Sequence, residues 1–334
     1  MGPSARHVAA RTRSERPIHS PSLAASRSTD TDGRTGPGGG PQAPPRRRKH
    51  WGWGFEDEAP SAESLRAQAA AIVAHLGFGD PGVELPTALD DVVLAPPRCA
   101  IPAALAEVCT DSPHARARHA LGSSYVDTVR GFRGDFAHPP DIVAYPRGER
   151  DLEEILGWCS ASGAAAIPYG GGTSVVGGVE PRSLDRYAAT VTVDMSNMAG
   201  LLELDHVSRA ARLAAGTAGP AIEAALAPHG LTLRHYPQSF QLSTLGGWIA
   251  TRAAGHYAML WTHIEDVVES VRALTPVGPW ESRRLPGSGA GVSPDRMLAG
   301  SEGTLGVITE AWVRVRPRPI HRAGASVHFE SFLR

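Results

Sequence analysis

The sequence predicts an α+β fold, and three observations predict it. Short apolar segments of strand length alternate with amphipathic helical segments from about residue 139 onward. The composition, 42% apolar and 20% charged over 334 residues, suits a packed interior under a solvated surface. No stretch approaches the roughly 18 uninterrupted apolar residues of a membrane span. The chain is therefore expected to be soluble and not membrane-spanning.

Residues 1–50 are rich in Arg, Ser, Pro and Gly, contain Gly36-Pro37-Gly38-Gly39-Gly40-Pro41 and end in Arg46-Arg47-Arg48-Lys49. So little apolar surface cannot offset the entropy of ordering, and a disordered tail is expected. Its Arg and Ser content is shared with organellar transit peptides. Arginine replaces lysine along the whole chain, however, so a plain tail and a cytoplasmic location are the expectation. A helical region is expected over 51–137. Ser61–Leu76 carries Leu65, Ala69, Ile72, Val73 and Leu76 at helical spacing, with Ser61 as cap and Ser64 as a second start. Pro102–Val108 reads as a further short helix.

The main domain is expected over 138–318. Asp141–Tyr145 is a strand halted by Pro146. Glu149–Ser162 is an amphipathic helix with Leu152, Ile155, Leu156 and Cys159 on one face and Gly163 past its end. Ala164–Pro168 is a second strand. Thr190–Asp194, Gly200–Leu204 and Arg209–Ala215 follow, the last two joined by a turn at Asp205–Ser208. Thr217 is placed to cap a helix running to Pro228, with Pro220 in its first turn.

Charge and residue usage exclude several functions. The first 50 residues hold ten basic and three acidic side chains, the other 284 hold 23 and 31. An acidic body lacks the clustered positive charge of a nucleic-acid surface. Lys49 is the only lysine and sits in the tail, which removes P-loop and pyridoxal-phosphate chemistry. Cys99, Cys109 and Cys159 are odd in number and never spaced C-x-x-C. Neither a disulfide scaffold nor a metal site is expected.

Pro168-Tyr169-Gly170-Gly171-Gly172-Thr173-Ser174 joins a strand to a glycine loop with two hydroxyls. Such a loop lets backbone N–H groups approach an anion, although a triple glycine alone also suits a flexible turn. It is not the G-x-G-x-x-G of a nicotinamide site. Two later segments are of similar character. Gln238-Ser239-Phe240-Gln241-Leu242-Ser243-Thr244 runs into the small-residue stretch Leu245–Gly255, and Gly300-Ser301-Glu302-Gly303-Thr304-Leu305-Gly306 leads into a strand beginning Val307-Ile308.

These three motifs, in this order, resemble the flavin domain of the vanillyl-alcohol-oxidase class: a PCMH-type FAD-binding domain of two α/β subdomains. Within that class, Arg47–Glu56, Trp248 and Thr251-Arg252-Ala253 are similar to the alkyldihydroxyacetonephosphate (alkylglycerone-phosphate) synthases of ether-lipid biosynthesis. The resemblance covers about Trp51 to Arg318. It implies that Pro168–Ser174 wraps the FAD pyrophosphate. It also implies that Gln238–Thr244 and Thr251-Arg252-Ala253-Ala254 line pyrophosphate and isoalloxazine, and that Glu302–Ile308 reaches the adenine side and the flavin edge. Gln238 and Ala254 depart from the synthase pattern, which has Asp and Ser there. Arg252 is read as lying near the cofactor, with Glu302 or Asp266 as alternative partners. His206, His235, His256 and His263 fall outside flavin-attachment patterns, so noncovalent FAD is expected.

The resemblance further implies alkyl transfer at flavin N5 on a small-molecule or lipid substrate, and it is compatible with a homodimer. An FAD-dependent 2-hydroxy-acid dehydrogenase or oxidase and a catalytically silent FAD module are the alternatives. A cap domain with a tyrosine acid/base and a histidine cluster follows the flavin domain in these synthases. Residues 319–334 read as the start of a truncated cap, and no catalytic residue is assigned.

Overall fold

The computed structural model describes residues 46–182, 186–256, 263–285, 291–321 and 331. The expected tail up to residue 45 and most of the expected cap start lie outside the described residues. Residues 46–50 differ from the tail expectation. Arg48 forms an antiparallel bridge with Phe55, the Glu56 N–H donates to the Arg47 carbonyl at 2.9 Å, and the Arg46 guanidinium forks onto Asp57 at 2.7 and 2.8 Å. The physical reason lies just downstream: Glu56, Asp57 and Glu58 offset the basic run, and Gly52 and Gly54 (φ 59° and 88°) turn the chain back.

Helix α1 spans Ala62–Leu76, with the Ser61 hydroxyl accepting from the Ser64 N–H and Gly77 closing it at φ 73°. Ser64 is therefore inside the helix and not a start. No residue of α1 is buried, and Ile72 and Leu76 are exposed. The expected helix at 102–108 contracts to a 3-10 turn at Ala103–Leu105. Cys109–Thr110 must leave it as strand β1 to pair with Ala144 and Val143. Two short helices follow, α2 (Pro113–Arg118) and α3 (Tyr125–Phe132), the second opened by a reciprocal Ser124–Asp127 capping box.

Strands β2 (Ile142–Ala144), β3 (Ala165–Tyr169) and β4 (Thr190–Asp194) form a sheet of order β1-β2-β4-β3 in which β2, β4 and β3 run parallel. Helix α4 (Glu149–Ser162) crosses from β2 to β3 and stops at Gly163, whose φ of 69° suits a residue without Cβ. Its Leu152, Ile155 and Cys159 pack on Ile142, Val191 and Val193. Apolar side chains fully withdrawn from water at roughly 1.5–3 kcal/mol each make this face the anchor of the first subdomain.

The second subdomain is a five-stranded antiparallel sheet of order β5-β6-β10-β8-β9. Its strands are β5 (Leu201–Asp205), β6 (Ala210–Ala214), β8 (Val268–Thr275), β9 (Gly278–Glu281) and β10 (Val307–Arg314). A small ladder pairs β7 (Leu231–Thr232) with β11 (Arg316–Pro317). Helices α5 (Gly219–Leu226), α6 (Leu245–Thr251) and α7 (Pro294–Leu298) contribute Ile222, Leu226, Trp248, Ile249 and Leu298 to its core. Thr217 does not cap α5: the N-cap is Ala218, because the Thr217 hydroxyl donates to the Ala214 carbonyl at 2.6 Å and accepts from the Gly200 N–H at 2.8 Å. Glu149 of α4 joins the subdomains, taking Arg272 in a fork at 2.7 and 2.8 Å and the Thr309 hydroxyl at 2.7 Å.

Candidate cofactor site

Strand β3 ends at Tyr169, and the glycine loop leaves from the carboxyl end of the parallel sheet, where crevices of α/β sheets take ligands. The loop is held from behind. Its Gly172 carbonyl accepts from the Ser123 hydroxyl at 2.7 Å, its Ser174 carbonyl from the Ser123 N–H at 2.7 Å. Its Gly171 carbonyl accepts from Arg118 at 3.1 Å and Arg48 at 3.4 Å. Among the described residues, no backbone N–H from Gly171 to Ser174 donates within the chain. Carbonyls are thus engaged while the amides stay available, the electrostatic arrangement of an anion nest.

The opposite wall is the segment ahead of α6. Three donors, Leu242 N–H, Ser243 N–H and the Ser243 hydroxyl, each reach the Ser239 carbonyl at 2.9 Å. Ser243 in turn accepts from the Trp248 indole at 2.7 Å, and Thr244 caps α6. The walls touch without room for side chains. A Cβ at Gly171 would overlap the Leu242 carbonyl, and one at Gly170 the Thr244 hydroxyl. The third wall is the 302–308 stretch, where Glu302 takes φ 49° and donates its N–H to the Ala250 carbonyl at 2.9 Å. Gly303, at φ 82°, lies against Pro168.

These walls enclose a cavity of about 360 Å³. Pro168 through Ser174, Ser239, Ser243, Thr244, Thr251, Ala253, Glu302, Gly303, Gly306, Val307 and Ile308 line it. The other sequence-selected residues do not. Gln238, Gln241, Thr304 and Leu305 are exposed. Phe240 packs toward Trp248, and Leu242 offers only its carbonyl to Gly171. Ala254 bridges His263. Arg252 ends α6 in the left-handed region (φ 51°), which turns its side chain onto the Ala299 and Arg296 carbonyls at 3.0 and 3.1 Å, 3.9 Å from Glu265. It pairs with neither Glu302 nor Asp266 and fastens α6 to α7.

Sequence reading missed Val175, Val176, Gly178, Val179, Met195, Ala215, Gly246, Gly247, Trp248 and Ala250 as lining residues. Gly247 and Ala250 share a face of α6 with Thr251, a signal that helical spacing could have provided. Met195 and Ala215 arrive from the ends of β4 and β6, which only folding brings near. Among the described residues no histidine lines the cavity. His235 is buried against Trp248, and burial holds its imidazole down to about 4. Burial, followed by the neighbouring Arg118 charge, holds the Arg48 guanidinium down to about 10.

An amide-lined nest beside an apolar, close-walled slot fits a dinucleotide with a flat ring, and residues 140–282 match the family described as "FAD binding domain". The fold is that of a PCMH-type FAD-binding domain. Within that class, the alkyldihydroxyacetonephosphate synthase of Dictyostelium discoideum is 37% identical over 67% of this chain and 35% of its own length. A solved alkyldihydroxyacetonephosphate synthase superposes with TM-score 0.71 at 30% identity, over 82% of this chain and 54% of that one. A mitochondrial D-lactate dehydrogenase [cytochrome] of Arabidopsis thaliana is 32% identical over 57% of this chain and 32% of its own length. The chain thus spans about a third of the length of these curated relatives. No helix among the described residues is long and apolar enough to cross a membrane.

Proposed function

We propose that this chain holds FAD noncovalently for synthase-type alkyl transfer, in which the acyloxy group of an acyl-dihydroxyacetone phosphate leaves as the fatty acid and the alkoxy group of a long-chain alcohol takes its place. The observation that carries the reading is the convergence of three separate hydroxyl- and glycine-rich stretches on one cavity, with the amides of Gly171–Ser174 unpaired among the described residues. Those amides bind the pyrophosphate, and the Thr173 and Ser174 hydroxyls add donors. The apolar side chains of Val307, Ile308 and Met195 and the backbone of Gly246 and Gly247 exclude water around the ring. Bound FAD supplies the reactive N5 and the electron sink, while the chain supplies orientation. The free thiols of Cys99, Cys109 and Cys159 are in keeping with a cytoplasmic location.

The relatedness to D-lactate dehydrogenase supports a second reading, hydride removal from a 2-hydroxy acid. One experiment separates the two. Purified chain is loaded with FAD, then given acyl-dihydroxyacetone phosphate plus hexadecanol, or D-lactate or glycolate without oxygen. Ether product without net bleaching supports the synthase reading. Bleaching of the yellow band by a hydroxy acid overturns it. Bound flavin inert to both identifies a silent FAD module.

A further inference from the structure

Two arginines converge on one carbonyl of the glycine loop from unrelated parts of the chain. Arg48 comes from the N-terminal bridge and lies over the Phe55 ring at 5.6 Å. Arg118 comes from the last turn of α2 and lies over the Tyr169 ring at 5.8 Å. Both donate to the Gly171 carbonyl. Arg118 is 8% exposed, and the Arg48 Nε is buried without a hydrogen-bond partner.

Their lack of a direct ion pair is the informative feature. Arg46, Arg47 and Arg98 each bond to a carboxylate. Among the described residues, neither Arg48 nor Arg118 forms an ion pair. Asp194 lies within electrostatic reach of Arg48 but bonds to neither arginine, being held by His119 at 2.9 Å and by the Ser196 N–H at 2.8 Å. Two neighbouring cations, one buried and one half-buried, with a single carboxylate in electrostatic reach and no ion pair, are costly to a fold. A diphosphate in the adjoining nest removes that cost. The route is the Gly171–Gly172 peptide: its carbonyl takes both guanidinium groups, and its N–H points the opposite way along the peptide, so polarising one end strengthens the donor at the other.

We infer that Arg48 and Arg118 are positioning residues for the cofactor, supplying counter-charge to the FAD pyrophosphate through the Gly171–Gly172 peptide without touching it. The N-terminal segment around Arg48 is on this account part of the cofactor site. The inference rests on the FAD reading above.

The test uses the full chain stripped of flavin, with FAD affinity measured by quenching of flavin fluorescence and folding by thermal circular dichroism. Arg48→Met and Arg118→Met each raise the FAD Kd at least tenfold, about 1.4 kcal/mol, while Arg48→Lys, which keeps the charge, stays within threefold of wild type. Wild type failing to bind FAD sinks the functional reading itself. Wild type binding FAD with either methionine variant binding equally well overturns this inference alone. So does a lysine variant as impaired as the methionine one, because geometry and not charge then matters. A methionine variant that loses the wild-type melting transition makes that arginine a structural rivet and also overturns it.

Discussion

Replacing Gly171 with alanine probes the closest contact between the first two walls of the cavity. The added Cβ would overlap the Leu242 carbonyl oxygen and stand 2.7 Å from its carbon and 2.8 Å from the Ser243 Cα. All three are backbone atoms, so no side-chain rotation relieves the contact. The oxygen is nearer still, so the retreat exceeds the roughly 0.8 Å that would bring 2.7 Å to an ordinary carbon–carbon separation. The 242–243 backbone resists it, because the Leu242 and Ser243 N–H groups are both bonded to Ser239 and the next residue caps α6. Overpacking of this kind costs about 1–3 kcal/mol of stability. A displacement of that size between the pyrophosphate nest and its facing wall is expected to weaken FAD at least tenfold, about 1.4 kcal/mol of the strain falling on the bound state. Thermal unfolding of the flavin-free protein and a flavin fluorescence titration measure the two effects. A Gly171→Ala protein with wild-type FAD affinity would refute the idea that backbone contact sets the slot.

Gly157→Ala supplies the contrasting case. Gly157 lies inside α4 with nothing within 4 Å of a built Cβ, so the substitution should stabilise the protein by about 0.5–1 kcal/mol in denaturant unfolding, leaving FAD affinity unchanged. His235 has a folded pKa near 4, below its ordinary 6.5. The unfolded chain therefore binds the proton first, and stability is full above about 6.5 and declines as pH falls toward 4. That loss amounts to roughly 3 kcal/mol, and His235→Phe should flatten the curve in this window. Burial pushes the Asp141 carboxyl up, but hydrogen bonds from Arg98 and Thr190 outweigh it and hold it below the usual carboxylate range. Its contribution is present above its unfolded pKa and lost as pH falls through the folded one. Asp141→Asn should cost about 2–3 kcal/mol at pH 7, with the gap from wild type closing in acid.

Where local chemistry decides an outcome, the residues announced it. Helix α4 begins and ends where Glu149 and Gly163 say, because amphipathic spacing and a left-handed glycine are local requirements. Thr190–Asp194 is a strand at the expected residues, because a β-branched run favours the pleat. Thr217, Arg252 and the 102–108 segment went the other way. In each, a partner beyond the expected element claimed the group: Gly200, together with the nearby Ala214, for Thr217, the α7 carbonyls for Arg252, Ala144 for Cys109.

The sequence by itself determined the alternation of elements and the three stretches rich in glycine and hydroxyl groups, since backbone freedom and hydrogen-bonding capacity belong to the residues. Only the tertiary structure decided which of those residues face the cavity and which face away. It alone brought Met195, Ala215, Arg48 and Arg118 to the site. The reason is physical: a lining position depends on the direction in which a Cα–Cβ bond or a carbonyl points after two sheets have packed. That direction is set by long-range burial, to which spacing along the chain carries no reference.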